Sequence, residues 1–251
     1  MHPVAAAGFA AAADVYERAR PSYPAAAVAW IAGRASLGPG RTVLDVGAGT
    51  GKLTRLLVQT GARVIAVEPL AEMRAKLEEV LPGAVALEGT AEDLPLGAGS
   101  VDVITCAQAF HWFNLDLALP ELHRVLAGDG LLFLLWNTRD LGDPLQGAIE
   151  ALLGPHRGTV SAQFDDGWRA IVESSRLFGT IERRTFVFDQ LVTVADVVGR
   201  VESTSFVATM PEGDRRVLLE QVRGLAAGRE EPFSFPYRTE VFASPRSSDR
   251  V

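Results

Sequence analysis

One cysteine, Cys106, stands in the 251 residues, which excludes an internal disulfide framework and any site built from several thiolates. Histidine is scarce too: His2, His111, His123 and His156 show no HExxH or comparable ligand spacing, so no dedicated metal site is expected. Basic residues are outnumbered, 24 Lys+Arg against 31 Asp+Glu for a formal net charge of −7, and they are scattered along the chain. A protein that neutralises nucleic-acid phosphates normally shows a basic stripe, so no nucleic-acid partner is expected. No apolar run reaches the roughly 18 residues of a bilayer crossing. The Ala-rich start, Val4 to Ala13, lacks a basic n-region and runs straight into Asp14, Glu17 and Arg18, unlike a signal peptide. Together these absences lead us to expect a cytoplasmic protein with no membrane partner.

The composition that remains, 48% hydrophobic and 22% charged, is ordinary for a globular chain long enough for one large α/β domain or two small ones. Near the start, Arg20-Pro-Ser-Tyr-Pro24 breaks a helical pattern. Pro suits the first turn of a helix and not its interior, so a short helix, a tight bend and a second helix over Ala25 to Ala35 are expected. From Arg41 the rhythm is strand, turn, helix. Strands are expected at Thr42–Val46, Arg63–Val67, Ala84–Glu88, Val101–Ala107 and Leu131–Trp136, with helices at Leu53–Gln59, Ala71–Val80 and Leu117–Leu126. That alternation implies a doubly wound, mostly parallel sheet with helices on both faces. Two longer strands, Ile181–Asp189 and Phe233–Phe242, enclose helices at Val194–Thr204 and Gly213–Ala227 and would add an antiparallel C-terminal edge. Arg139 to Arg176 has no strong pattern and reads as an insertion beside the active site, and Ser244 to Val251 reads as a frayed tail. The resulting organisation is an N-terminal helical lid over 1–40, a core over 41–138, and 139–251 completing the same domain.

The most informative stretch is Val43-Leu-Asp-Val-Gly-Ala-Gly-Thr-Gly-Lys-Leu-Thr54, a buried strand running into three glycines spaced GxGxG and then a helix. Such glycines let the backbone turn sharply and approach a ligand closely. A phosphate-binding P-loop in register with Gly51-Lys52 would need glycine at Val46 and Ser or Thr at Leu53. The dinucleotide fingerprint GxGxxG, started at Gly47, would need glycine at Lys52, which makes a nicotinamide cofactor and an NAD(P)-dependent oxidoreductase the weaker alternative. Asp45 just before the loop, and Glu68 ending the second strand where a carboxylate can accept both ribose hydroxyls, suit a nucleoside without a pyrophosphate.

These segments resemble the class I S-adenosylmethionine-dependent methyltransferases. In that family Asp45-Val-Gly-Ala-Gly-Thr-Gly51 would be the first cofactor motif and Val64-Ile-Ala-Val-Glu-Pro69 the acidic second-strand motif. Gly89-Thr-Ala-Glu-Asp-Leu-Pro95 would line the adenine, Val101 to Ala107 would be the fourth strand, and His123 to Gly130 the turn into the fifth. The resemblance spans roughly residues 9 to 138. It implies a Rossmann-like fold and S-adenosyl-L-methionine as cofactor, with S-adenosyl-L-homocysteine as product. It also implies cofactor contacts at Asp45, Gly47, Ala48, Gly49, Gly51, Glu68, Pro69, Met73, Ala91, Glu92, Ala107 and Gln108. Thr90 departs from the pattern, since many relatives carry Asp there for the adenine amine; Glu92 or the backbone near Ala91 would take that part, or Glu92 and Asp93 form a solvated turn. Tyr16-Glu-Arg-Ala-Arg-Pro-Ser-Tyr-Pro24 resembles the N-terminal segment of small-molecule methyltransferases such as the trans-aconitate methyltransferase group. There Tyr16 and Arg20 would approach the methionine carboxylate, or their helix simply packs on the sheet.

Methyl transfer from a sulfonium is an in-line displacement that needs alignment in a dry pocket, and a base only when the acceptor must lose a proton. Open α/β sheets bind ligands at the carboxyl ends of their strands, where Gln108-Ala-Phe-His-Trp-Phe113 follows the fourth strand. His111 is the candidate catalytic base; contact with cofactor or substrate, and plain packing among Phe110, Trp112 and Phe113, are its other readings. Tyr23, Trp112, Asn137 and Arg139 are candidate substrate contacts, Arg139 suiting an acidic acceptor or else lying solvated in its loop. No Asn/Asp-Pro-Pro-Tyr motif follows the fourth strand, which favours a metabolite over nucleic acid or protein as acceptor. The expectation is a methyltransferase acting on a small molecule, by O-methylation of a carboxylate or hydroxyl, as a monomer or homodimer. A protein of the same fold that binds the cofactor without transferring methyl is the alternative.

Overall fold

A computed structural model describes Glu17 and residues 20–156 and 167–248. Along the chain run α1 (Ala25–Arg34), β1 (Thr42–Val46), α2 (Thr54–Val58), β2 (Arg63–Val67), α3 (Ala71–Val80), β3 (Val85–Leu87) and β4 (Val101–Ala107). After a short 3-10 turn at Phe110–Trp112 come α4 (Leu115–Val125), β5 (Leu126–Arg139), α5 (Pro144–Leu153) and α6 (Gly167–Ser175). β6 (Glu182–Val192), α7 (Val194–Glu202), α8 (Ser205–Ala208), α9 (Glu212–Ala226) and β7 (Phe233–Pro245) complete the series.

Among the described residues seven strands form one sheet in the order β3-β2-β1-β4-β5-β7-β6. The first five are parallel, Asp45 lying opposite Ala66 on one side and Thr105 on the other. The last two close an antiparallel edge, as the numbering shows: Arg246 bonds Gly130 while Asp140 bonds Pro236, one strand descending as the other ascends. The doubly wound, mostly parallel α/β sheet is the one expected.

The pleat explains why these strands carry apolar residues on both faces. Leu44, Val46, Ile104, Cys106, Leu132, Leu134 and Trp136 face one core with α4. Their neighbours Val43, Val103, Leu131, Phe133 and Leu135 face another with Ala27 and Ile31 of α1 and Leu57 of α2. Alternate side chains thus serve opposite faces, the signature of a sheet covered on both sides.

By its internal contacts the chain divides into two compact units. One comprises 22–136 with the described residues of 164–186 and 239–251; the other comprises the described residues of 1–21, 137–163 and 187–238. The second unit has its own core, in which Leu145, Ile149 and Leu153 of α5 meet Val197, Val198 and Val201 of α7 and Leu218, Val222 and Ala226 of α9.

Three expectations are corrected. Arg139 to Arg176, read as patternless, contains α5, begun by Asp143 whose side chain accepts from Gln146 N–H with Pro144 in the first turn, and α6. β5, expected at Leu131–Trp136, runs from Leu126 to Arg139, because Gly128-Asp129-Gly130 form a register shift inside the strand and not a turn before it. The tail from Ser244 is not frayed as far as it is described. Ser244 and Pro245 belong to β7, Arg246 N–H bonds the Gly130 carbonyl, Arg246 Nε bonds the His123 carbonyl at 3.0 Å, and Ser247 N–H bonds the Leu177 carbonyl. His123 Nε2 also lies 3.1 Å from the Ser247 carbonyl.

Net intramolecular hydrogen bonds contribute about 1 kcal/mol each. Ending the chain at Pro245 is therefore expected to lower stability by about 2–4 kcal/mol, measured as a lower urea midpoint with an unchanged slope.

Candidate functional site

In a sheet of this order the crevice lies where the winding reverses, between the carboxyl ends of β1 and β4. The glycine loop leaves β1 there, and the turn after β4 seats directly against it. Gly47 has φ +67°, and a Cβ built on it would lie 2.6 Å from the Ala109 Cβ, so no side chain fits. Gly49 also has a positive φ, +56°, yet its Cβ position has nothing within 4 Å. The loop is therefore closed beneath Gly47 and open at Gly49.

Where the loop's N–H groups point decides what it can hold. Gly47 and Ala48 both donate to the Val67 carbonyl, at 2.8 and 3.2 Å, and Gly51 donates to the Ala48 carbonyl at 3.0 Å. Gly49 donates to Glu68 Oε2 at 2.9 Å. An anion cradle needs such N–H groups aimed at the ligand. Here four of them are turned onto the protein, which leaves close approach without anion binding.

Asp45 lies beneath the loop, 1% exposed. Its Oδ2 accepts from the Thr54 hydroxyl and its Oδ1 from the Thr105 hydroxyl, both at 2.7 Å, so the carboxylate ties β1 to β4 and to the helix leaving the loop. Burial pushes its pKa up from 3.8 to about 6, against the opposing pull of the two hydroxyl bonds. Asp45 is placed to hold the loop from below. Thr54 and Thr105 escaped the sequence reading, although Thr105 is a hydroxyl inside the otherwise apolar run from Val103 to Ala107.

Glu68, 4% exposed, follows β2. Its Oε1 accepts from Leu70 N–H at 3.0 Å as Oε2 accepts from Gly49, so the carboxylate is fixed in register with the loop. Burial raises its pKa, opposed by those two backbone bonds and by the Arg74 charge. Each carboxylate oxygen has two lone-pair sites, so each retains capacity for one more donor. Arg74, also missed, donates to the Glu68 and Pro69 carbonyls, each at 2.8 Å, and fixes the chain after β2. Met73 and Ala91 are buried. The Glu92 carboxylate accepts from Asn114 N–H at 2.8 Å, at the N-cap of α4, so it is engaged there in this structure.

At the carboxyl end of β4, Ala107 leads into Gln108, a non-glycine residue at φ +57° whose N–H bonds the Leu135 carbonyl. Left-handed backbone at such a residue costs of order 1 kcal/mol and is enriched at ligand sites. His111 and Trp112 follow in the 3-10 turn, their rings 4.6 Å apart, and Trp136 Nε1 donates to His111 Nδ1 at 3.4 Å. Trp136 was not among the expected site residues.

The structure thus gathers Asp45, the glycine loop, Glu68 and the 107–112 turn at one crevice. Of the other expected residues, some belong to the second unit and one is in a core of the first. Tyr16 falls outside the described residues. Arg20 Nη2 donates to the Ser203 carbonyl at 2.6 Å within the second unit. Tyr23 is buried in the core of α1 and α2. Asn137, also buried, and Arg139, 3.4 Å from Glu150, belong to the second unit as well. Among the described residues no group of three or more His, Cys, Asp or Glu could hold a metal ion, and no helix is long and apolar enough to cross a membrane.

A family profile described as a methyltransferase domain matches residues 44–134, the span of this crevice. An uncharacterized methyltransferase of Mycobacterium tuberculosis is 41% identical over 219 residues, 87% of this chain and 85% of that protein. Among solved structures, a methyltransferase from an antibiotic biosynthesis pathway of Anabaena variabilis is similar with a TM-score of 0.67 at 22% identity, over 89% of this chain and 98% of its own. A phosphoethanolamine N-methyltransferase of Haemonchus contortus, solved with S-adenosylhomocysteine, has a TM-score of 0.55 at 16% identity, over 97% of this chain and 58% of its own. None of these names bears on the trans-aconitate group.

Two experiments follow from the geometry. Gly47→Ala adds both left-handed strain and a clash, and is expected to cost about 2–4 kcal/mol of stability; Gly49→Ala adds strain alone, about 1 kcal/mol, and obstructs the open space instead. Urea unfolding of the two variants compares them directly. For Asp45 the folded-state pKa is the raised one, so stability falls as pH rises through the window from 3.8 to about 6 and is level above it. Between about pH 7.5 and about pH 4.5 the wild type should gain about 2 kcal/mol over Asp45→Asn. Equal pH dependence in the two proteins would show that Asp45 titrates normally.

Proposed function

The chain belongs to the class I S-adenosylmethionine-dependent methyltransferases, and from that premise we propose that it moves a methyl group to an oxygen, carboxylate or hydroxyl, of a small-molecule acceptor. The observation that carries the cofactor reading is the pairing of a glycine loop whose N–H groups face inward with a buried carboxylate, Glu68, locked to that loop at Gly49. A dinucleotide's pyrophosphate would want those N–H groups free. A nucleoside wants close approach and an acceptor for its ribose hydroxyls, and Gly49 and Glu68 supply both.

The residues present fit S-adenosylmethionine. Glu68 would take the ribose hydroxyls on its remaining lone pairs, with Gly49 giving room beside it. Ala91 and Glu92, on the segment after β3, stand for the adenine end, and Gln108, in its strained turn, for the methionine end. When bound, the cofactor supplies an electrophilic methyl on a sulfonium, whose C–S electron pair returns to sulfur as the acceptor oxygen bonds carbon. An ionised carboxylate acceptor releases no proton in that exchange, whereas a hydroxyl must give one up. The work of the crevice is then mostly alignment and exclusion of water, which agrees with polar groups already bonded to the protein. The acidic average charge, −7, fits a metabolite acceptor better than nucleic acid.

Calorimetric titration with S-adenosylmethionine, S-adenosylhomocysteine and NADH tests this, run beside Glu68→Ala. Both sulfur nucleosides should bind, and the variant should weaken them by about tenfold or more, the loss of hydrogen bonds to a charged group. NADH binding alone would overturn the cofactor assignment. Transfer of labelled methyl to carboxylic acids and phenols, but to no amine or oligonucleotide, is the matching result for the acceptor.

A further inference from the structure

Beyond β2 the chain leaves the sheet's ladder just where it carries the site's carboxylate. Glu68 N–H still bonds the Leu87 carbonyl at 3.1 Å, but β3 ends at Leu87 and α3 begins only at Ala71. The carbonyls of Glu68 and Pro69 fall between the two elements, where side chains must take over from regular pairing. Arg74, near the start of α3, reaches both: its Nη1 donates to each carbonyl at 2.8 Å, while Nη2 donates to Glu88 Oε2, just after β3, at 2.8 Å.

Two side chains thus close a reciprocal lock. The Glu68 carboxylate accepts from Leu70 N–H, ahead of α3, and from Gly49 N–H in the loop, while Arg74 returns from α3 to the Glu68 main chain. A planar guanidinium can hold two carbonyls and a carboxylate at once, which a lysine ammonium, a point charge on a flexible stem, does not reproduce. The Glu88 side chain is 78% exposed, so that ion pair adds little, whereas the Arg74 side chain is 16% exposed and its backbone bonds carry the weight. Burial works against the ionised form of Glu68, as does the Asp45 charge on β1; the two backbone bonds and the Arg74 charge work for it.

We propose that Arg74 is a positioning residue of the nucleoside site: its guanidinium clamps the backbone on which Glu68 stands, so that the carboxylate meets the ribose hydroxyls as a fixed acceptor. The proposal rests on the S-adenosylmethionine reading, and Arg74 acts in it through Glu68, not by touching the ligand. A carboxylate held before the ligand arrives spends little ordering free energy on binding. Only the ionised carboxylate accepts at both oxygens, so the same residue has a second effect: its charge extends toward acid the pH range in which Glu68 can serve.

The test is calorimetric titration of the full chain with S-adenosylhomocysteine, from acid to mildly basic pH, in wild type, Arg74→Gln and Arg74→Lys. At the basic end Arg74→Gln should bind about fivefold more weakly, the weight of one hydrogen bond. Affinity should fall in every protein as acid neutralises Glu68, and loss of the cation should move that fall to higher pH. Asp45 titrates in all three proteins and drops out of the comparison. Arg74→Lys keeps the charge without the fork, so its affinity should drop while the acid fall stays at the wild-type pH. Unchanged affinity in Arg74→Gln would overturn the proposal, and so would weaker binding with the acid fall unmoved, the mark of a merely structural role. Should Arg74→Gln not fold, Arg74→Lys decides, and wild-type affinity there would overturn the proposal. A wild type that binds no S-adenosylhomocysteine would instead sink the cofactor reading. The clamp is then judged without ligand: the 13C-carboxyl resonance of Glu68, assigned with Glu68→Gln, should titrate at higher pH in Arg74→Gln than in the wild type, and coincident titrations would overturn it.

Discussion

A carboxylate cannot be taken out of water without partners, and at Asp45 that requirement organises the crevice. Its neighbours on β1 are Leu44 and Val46, both in the sheet's apolar layers, and the side chain itself is buried. Two hydroxyl groups answer it, one from β4 and one from the helix that leaves the glycine loop. Each bond offsets part of the desolvation that nevertheless leaves the group hard to ionise. Because the hydroxyls come from different elements, satisfying the carboxylate fixes the β1–β4 register and the start of α2 together. The loop between them is then short of freedom at both ends.

What the loop does with its own polar groups follows from that anchoring. Held at Thr54 and at Asp45, it folds back on β2, and Val67 takes two of its N–H groups while Glu68 takes a third. The same backbone in a phosphate-binding loop would turn those donors outward to the ligand. Turned inward they stiffen the loop and tie its conformation to the acidic residue that follows β2. Gly47 completes the arrangement by admitting Ala109 of the neighbouring turn, so three strand ends are held against one another through backbone and methyl contacts. Fixed geometry of this kind suits a reaction whose barrier is lowered chiefly by alignment.

The parts legible in the sequence are those whose information is local. The glycine loop announces itself because left-handed φ and close approach demand glycine at fixed spacing, and Glu68 stands at a strand end that alternation marks. Strands β1, β2 and β4 are short apolar runs bounded by turn residues, and their limits were read to the residue. What escaped depends on distance along the chain. Arg246 and Ser247 look like a polar tail until Gly130, His123 and Leu177 are known to lie beside them. The helix at Pro144–Leu153 buries Leu145, Ile149 and Leu153, four residues apart, against helices some fifty and seventy residues later, and so short a stripe is weak without those partners. Gly128-Asp129-Gly130 has turn chemistry, but pairing with β4 on either side of it, at Leu126 and Leu131, keeps it within the strand.

His111 shows the same limit at the level of chemistry. Its position after β4 and the ordinary acidity of histidine as a residue type both argue for proton transfer, and each is legible in the local sequence. The indole beside its Nδ1 lies on another strand, 25 positions on. An imidazole can donate from one nitrogen and accept at the other, so the groups that surround the ring, brought there by elements distant in the chain, decide what a histidine does, and the local sequence names only the residue type.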